Sequence, residues 1–150
     1  MEPDPFNLDR FLQAQESSYS AALSEIRGGC KLTHWMWYIF PQSAGLGSSS
    51  TSVFYAVKSL DEARAYLAHQ VLGSRLLECC EALLALEGLS AHAIFGSPDD
   101  LKLHSCMTLF AVVSPAGSVF EQVLARYYQG KPDQRTLALI QGGCRGTGSV

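Results

Sequence analysis

Apolar side chains return every three or four positions along most of this 150-residue chain, the spacing of amphipathic helices packed on a common core. Leu8, Phe11, Leu12, Tyr19, Ala22, Leu23 and Ile26 make the first stripe. They predict a helix from Leu8 to about Arg27, with Asn7 as cap and Gly28-Gly29 as stop. Ser59-Leu60-Asp61-Glu62 is a capping box that opens a helix to about Ala68, and a second helix covers about Val71 to Leu86. His69 at the joint is expected to serve the free carbonyls of a helix end. Ser90 caps a short turn ending Ile94-Phe95-Gly96; then Ser97 as cap and Pro98 at the first helical position begin a helix to about Val113. Ser118-Val119-Phe120-Glu121 opens another helix, closed by Gly130, and Asp133 caps a last one through Ile140.

The stretch Thr33 to Gly47 breaks this periodicity. Both tryptophans fall in the run His34-Trp35-Met36-Trp37-Tyr38-Ile39-Phe40-Pro41-Gln42, apolar at successive positions and closed by a proline that lacks an amide donor. Val53-Phe54-Tyr55-Ala56-Val57 is short, β-branched and aromatic, so the two runs are expected to pair as a small antiparallel ribbon covered by helices. The fold class expected is therefore mainly α: a single compact helical domain over residues 1–140 with a small two-stranded antiparallel ribbon around the Trp-rich segment. Residues 141–150 are glycine-rich and are expected to form a loose tail.

Composition narrows the function classes. A formal charge of -3 and a pI near 5.7 provide no basic field for a nucleic acid backbone. No apolar run reaches the roughly 18 residues of a membrane span, so the expectation is a cytoplasmic protein with neither signal peptide nor anchor. Five cysteines, odd in number and without a C-x-x-C pair, read as reduced core thiols. His34, His69, His92 and His104 have no zinc-ligand spacing, so no metal or cofactor is expected. No P-loop, G-x-S-x-G, G-x-G-x-x-G or H-E-x-x-H is present. The sequence does not fix an oligomeric state.

What is left is a set of polar groups in apolar settings. Gln15 lies in the first stripe, about 20° from Leu8 on a helical projection, and a buried amide there acts either as a clamp on a loop backbone or as a ligand contact. The helix after Pro98 is apolar nearly all round and belongs in the middle of the fold. Its few polar residues, Lys102, His104, Ser105 and Thr108, are accordingly informative. Lys102 needs a carboxylate, an anion or a route to solvent, while Ser105 and Thr108 can bond to the preceding turn. His34 and Gln42 bracket the aromatic run.

The segments Asp4-Pro5-Phe6-Asn7-Leu8-Asp9-Arg10-Phe11, His34 to Gln42 with Gly45-Leu46-Gly47, Tyr66-Leu67-Ala68-His69 with Leu72-Gly73, and Ile94 to Leu103 with Ser105 and Met107-Thr108-Leu109-Phe110 resemble the bacterial family called domain of unknown function 1810. The resemblance covers about Asp4 to Ile140 and implies a fold and a pocket without a settled activity. The label "calpastatin" that some members carry has no support in these residues.

Asp9-Arg10-Phe11-Leu12-Gln13-Ala14-Gln15 is also similar to an element of the NADAR (YbiA-like) N-glycosidases, although Asp9 replaces a longer Glu and the Trp-rich run has no clear counterpart. That resemblance implies a hydrolase of N-glycosidic bonds in a nucleotide-like or ADP-ribosyl compound. In such a reaction Asp9 or Asp99 would stabilise an oxocarbenium or orient water, so the two carboxylates must face one cavity. Trp35 or Trp37 would stack the base, Arg10 and Lys102 would hold phosphate, and His34 and Gln42 would bond to base or ribose, with Gln15 and Ser105 as further contacts. The rival reading is a non-catalytic module that binds a small molecule or peptide. A third reading makes Trp35 to Phe40 simply core.

Overall fold

A computed structural model describes residues 3–145, and most of its longer helices start at a side chain that accepts a backbone amide. Among the described residues the elements are α1 (Asp9–Glu16), α2 (Tyr19–Arg27), α3 (Met36–Ile39), α4 (Ser50–Tyr55), α5 (Leu60–Ala68), α6 (Gln70–Ala85), α7 (Ala91–Phe95), α8 (Asp99–Val112), α9 (Val119–Tyr128) and α10 (Gln134–Arg145). Ser49, Ser59, Ser90 and Ser118 each cap a helix by accepting the amide three residues on. His69 serves both helices at the joint: its backbone N–H donates to Ala65 O and Tyr66 O at the end of α5, while its side-chain Nδ1 accepts from the amides of Val71 and Leu72 at the start of α6.

The first stripe forms two helices instead of one. The break falls at Ser17-Ser18, residues whose hydroxyls compete for backbone groups and weaken a helix interior. Asn7 stands at φ +52° and does not cap α1. The Asp4 carboxylate takes that role, accepting from Leu8 N at 2.7 Å and Asp9 N at 2.9 Å.

The expected two-stranded ribbon is absent from the described residues. Trp35, Met36, Ile39 and Phe40 are buried together as one face of a single helical turn, and Ser49 at the head of a serine-rich run nucleates α4 across the other segment. A short run apolar on both faces fits a buried helical turn as well as a strand, which is why alternation misread it. One isolated parallel bridge, Ser43 to Val57, is what pairs the two connections: Val57 N donates to Gln42 O and Ala44 N to Val57 O, both at 2.8 Å.

Around α8 the core is continuous. Leu103, Cys106, Met107 and Phe110 are fully buried, with α5, α7, α9 and α10 packed against the helix. Rings run through it from Phe11 to Tyr66 at 5.1 Å, Tyr66 to Phe110 at 5.4 Å and Phe110 to Phe120 at 5.7 Å, distances at which aromatic pairs attract. Cys79, Cys80 and Cys106 are buried free thiols, whereas Cys30 is exposed. α10 runs on past Ile140 to Arg145, and residues 146–150 of the expected tail lie outside the described residues. No described helix is long and apolar enough to cross a membrane.

α1 is fastened to the first turn of α5 by a buried ion pair, Arg10 Nη2 to Glu62 Oε2 at 2.6 Å. Glu62 Oε1 also accepts from Lys58 N at 2.9 Å. Replacing Glu62 by Ala leaves the guanidinium buried without its counter-charge and is expected to destabilise the fold by about 3 to 5 kcal/mol. Urea unfolding at neutral pH measures this, and a loss below about 1 kcal/mol would show that the pair does not hold α1 in place.

Candidate functional site

Glu25 on α2 organises the loop that carries the first half of the Trp-rich run. Its Oε1 accepts from the amides of Leu32 at 2.8 Å and Thr33 at 3.0 Å and from Trp35 Nε1 at 2.8 Å, while Oε2 accepts from the Thr33 hydroxyl at 2.7 Å. Partial burial pushes this carboxyl up, but the four donors outweigh it and lower its pKa to about 2.

Beyond that loop two lysines share one carboxylate. Lys31 Nζ lies 2.9 Å from Asp99 Oδ2, and Lys102 Nζ 3.1 Å from Asp99 Oδ1. Each ammonium also rides on an indole, Lys31 over Trp35 at 5.0 Å and Lys102 over Trp37 at 4.4 Å. Burial raises the Asp99 pKa, and the two cations more than reverse this, leaving it below its ordinary value. Asp99 is therefore a pinned anion, with both oxygens engaged.

The candidate residues separate into those that meet and those that do not. Trp35, Trp37, Lys102 and Asp99 form the cluster just described, and Gln42 joins Trp37 at a neighbouring crevice of only about 10 Å³. Asp9 is exposed on α1, accepting from the Gln13 amide. Arg10 is buried with all five donors spent: Nε on Phe54 O, Nη1 on Phe6 O and Asn7 O, and Nη2 on Ala56 O and Glu62. Gln15 is 1% exposed; its amide nitrogen donates to Tyr38 O at 2.7 Å and Tyr66 Oη at 3.1 Å, and its oxygen accepts from Arg75. His34 is exposed, and its carbonyl accepts from the Tyr38 hydroxyl. Ser105 donates to Asp133 Oδ2 at 3.2 Å, next to the start of α10.

Room for a ligand lies elsewhere. A groove of about 450 Å³ opens between the Ser43–Val57 bridge, the start of α5, and α8 with α10. Ala44, Val57, Leu60, Leu109, Leu139 and Ile140 make its apolar wall, and Ser43, Lys58, Ser59, Asp61 and Arg64 its polar side. A second groove, about 550 Å³, lies over the Arg10–Glu62 pair beside the exposed Val53 and Phe54. Neither Asp9 nor Asp99 lines either groove. Sequence reasoning missed Glu25, Lys31, Lys58 and Arg64: Glu25 and Lys31 find their partners in a loop and across the fold, and Lys58 and Arg64, whose own contacts are local, gain their setting only from the groove that they line.

The family model for a protein of unknown function, DUF1810, matches residues 5–140. The chain belongs to this family. The crystal structure of the conserved hypothetical protein Rv1873 from Mycobacterium tuberculosis is 51% identical in sequence, with a TM-score of 0.90 over 92% of this chain and 99% of that one. No curated protein matches. The DUF1810 match spans the Trp-rich loop, the Lys31–Asp99–Lys102 cluster and the groove; the likeness of Asp9 to Gln15 to the NADAR group has no counterpart among these matches.

The low pKa of Glu25 sets a pH dependence for this DUF1810 domain. Because the folded value, about 2, lies below the ordinary 4.5, the stability it contributes is complete above about pH 4.5 and is lost as the pH falls towards 2. Glu25→Gln is expected to be less stable than the parent at pH 7, the gap closing between pH 4.5 and 2. Chemical denaturation along that pH series, followed by tryptophan fluorescence, reads it directly; a gap independent of pH would mean the carboxylate charge is not what holds the loop.

Proposed function

We propose that this DUF1810 protein is a non-catalytic binding module for a small molecule, with the groove beside the Ser43–Val57 bridge as its site. The observation that carries this reading is the groove itself: about 450 Å³, within the range of small-ligand pockets, with an aliphatic wall and a few polar groups along one side. The Trp-rich loop supports a structural role for its rings. Trp35 is 1% exposed, bonded to Glu25 and covered by Lys31, and Trp37 has Lys102 on its ring and a crevice of about 10 Å³ beside it.

Hydrolysis of an N-glycosidic bond finds less support. The acid and base of that chemistry need a shared cavity and at least one carboxylate free to turn towards substrate. Asp9 lies open to solvent on α1, and both oxygens of Asp99 are held by lysines. Arg10, assigned to phosphate by the resemblance to the glycosidases, has no donor left to give.

Amide chemical-shift mapping with a small-molecule fragment set tests the reading. Binding is expected to move the amides of Val57, Leu60, Leu109 and Leu139, and Ala44→Trp, which places an indole in the groove, is expected to abolish those shifts in a protein that still melts cooperatively. The reading fails if no fragment moves these amides at millimolar concentration. It fails in its other half if the protein cleaves ADP-ribose or NAD faster than a buffer blank.

A further inference from the structure

The lining of the groove also specifies the chemistry of its occupant. Its wall is aliphatic, with Leu109, Leu139 and Ile140 facing Val57, and no ring lines it on which a nucleobase could stack. Along the opposite side stand two cations and one carboxylate: Lys58, Arg64 and Asp61. Arg64 Nη1 reaches Asp61 Oδ1 at 3.2 Å in a pair that is 57% and 80% exposed, an association too solvated to compete strongly with a ligand. Lys58 makes no ion pair among the described residues; its ammonium meets only Ala56 O at 3.3 Å. After Asp61 is matched by Arg64, one positive charge is left over at the polar side.

We infer that the groove takes an aliphatic monocarboxylate, its chain against Leu109, Leu139 and Ile140 and its carboxylate between Lys58 and Arg64. A single surplus cation is complemented by a single anionic charge, and the planar guanidinium of Arg64 matches a carboxylate with two parallel N–H···O bonds. A nucleotide would bring a ring with no stacking partner and more negative charge than this rim offsets. The inference rests on the groove being the ligand site, as proposed above.

Titration of the full chain with octanoate, octanol, octylamine and inorganic phosphate, read by calorimetry and by the amides of Leu60, Leu109 and Leu139, separates the two claims. Octanoate is expected to bind with the highest affinity of the four, and the double variant Lys58→Ala/Arg64→Ala to weaken it about tenfold, two solvated ion pairs being lost, while octanol binding stays the same. Octanol or octylamine binding as tightly as octanoate, or octanoate binding indifferent to the double variant, would overturn the carboxylate and leave the groove as a site. Phosphate binding there as tightly as octanoate would overturn the aliphatic part. If none of the four moves those amides while other fragments do, the monocarboxylate is wrong; if nothing at all moves them, the groove is not a site.

Discussion

α8 has no broad polar face, and a helix of that kind is stable in water only when other elements cover most of it; Leu101 and Val112, near its two ends, are the apolar residues it leaves exposed. Its position in the middle of the fold is therefore a condition on everything else in the chain: α5, α7, α9 and α10 are the layers that meet it. The hydrophobic return is of the ordinary size, about 1.5 to 3 kcal/mol for each fully buried large side chain, and Leu103, Met107, Leu109 and Phe110 all qualify at 0 or 1% exposure. Three polar groups on α8 are spent on bringing the last segment home. Thr108 donates to His104 O and accepts from Asp133 N at 2.8 Å, and Ser105 donates to the Asp133 carboxylate. His104 meets Lys131 O at 2.7 Å and stacks on Tyr128, ring centroids 4.1 Å apart. The start of α10 is thus keyed to the central helix by side chains that would otherwise be a liability inside it.

The same economy governs the buried polar groups and explains why Arg10 and Gln15 stand apart from the other candidate residues. A guanidinium out of water needs every donor met, and Arg10 meets its five with four backbone carbonyls and Glu62, tying α1 to the C-terminal end of α4 and to the first turn of α5. Gln15 does likewise for α3, α5 and α6 through Tyr38, Tyr66 and Arg75. Among the described residues no buried side-chain nitrogen or oxygen is without a hydrogen-bond partner. Buried polarity here is fold specification; a group that was waiting for a ligand would show a missing bond.

How much of this was legible follows from where each partner comes from in the chain. The capping boxes at Ser59 and Ser118, the cap at Ser90 and the all-round apolarity of α8 are local properties, and the helices they predict are present within a residue or two. Asp133 also reads correctly, since it accepts from Thr136 N three residues on. The ribbon failed because period-2 and helical readings cannot be told apart over six apolar residues, and Ser97 failed as a cap for α8 because Pro98 occupies the capping position. That Gln15 is buried was visible from its place in the stripe; that its acceptors are Tyr38 and Tyr66 was not, because those bonds cross 23 and 51 positions of sequence. Lys58 and Arg64 carry no signal in the sequence, and only the fold places them beside the apolar wall that Leu109, Leu139 and Ile140 form.

Aromatic weight and open space are separate matters in this fold. Large rings attract one another and close up, as Trp35, Phe40 and Phe95 do at 6.1 to 6.3 Å, so the segment richest in aromatic area becomes the least able to admit a ligand. Concavity arises where small side chains face long ones across a gap. Ser43, Ala44 and Gly45 form such a place: Gly45 has φ +100°, a conformation that favours glycine, and it lies against the side-chain end of Leu139, 2.9 Å from where a Cβ would fall. With Gly45 drawn against Leu139, the short side chains of Ser43 and Ala44 leave the space over Leu109 and Ile140 unfilled, and the chain holds its groove open with residues that carry almost nothing to close it.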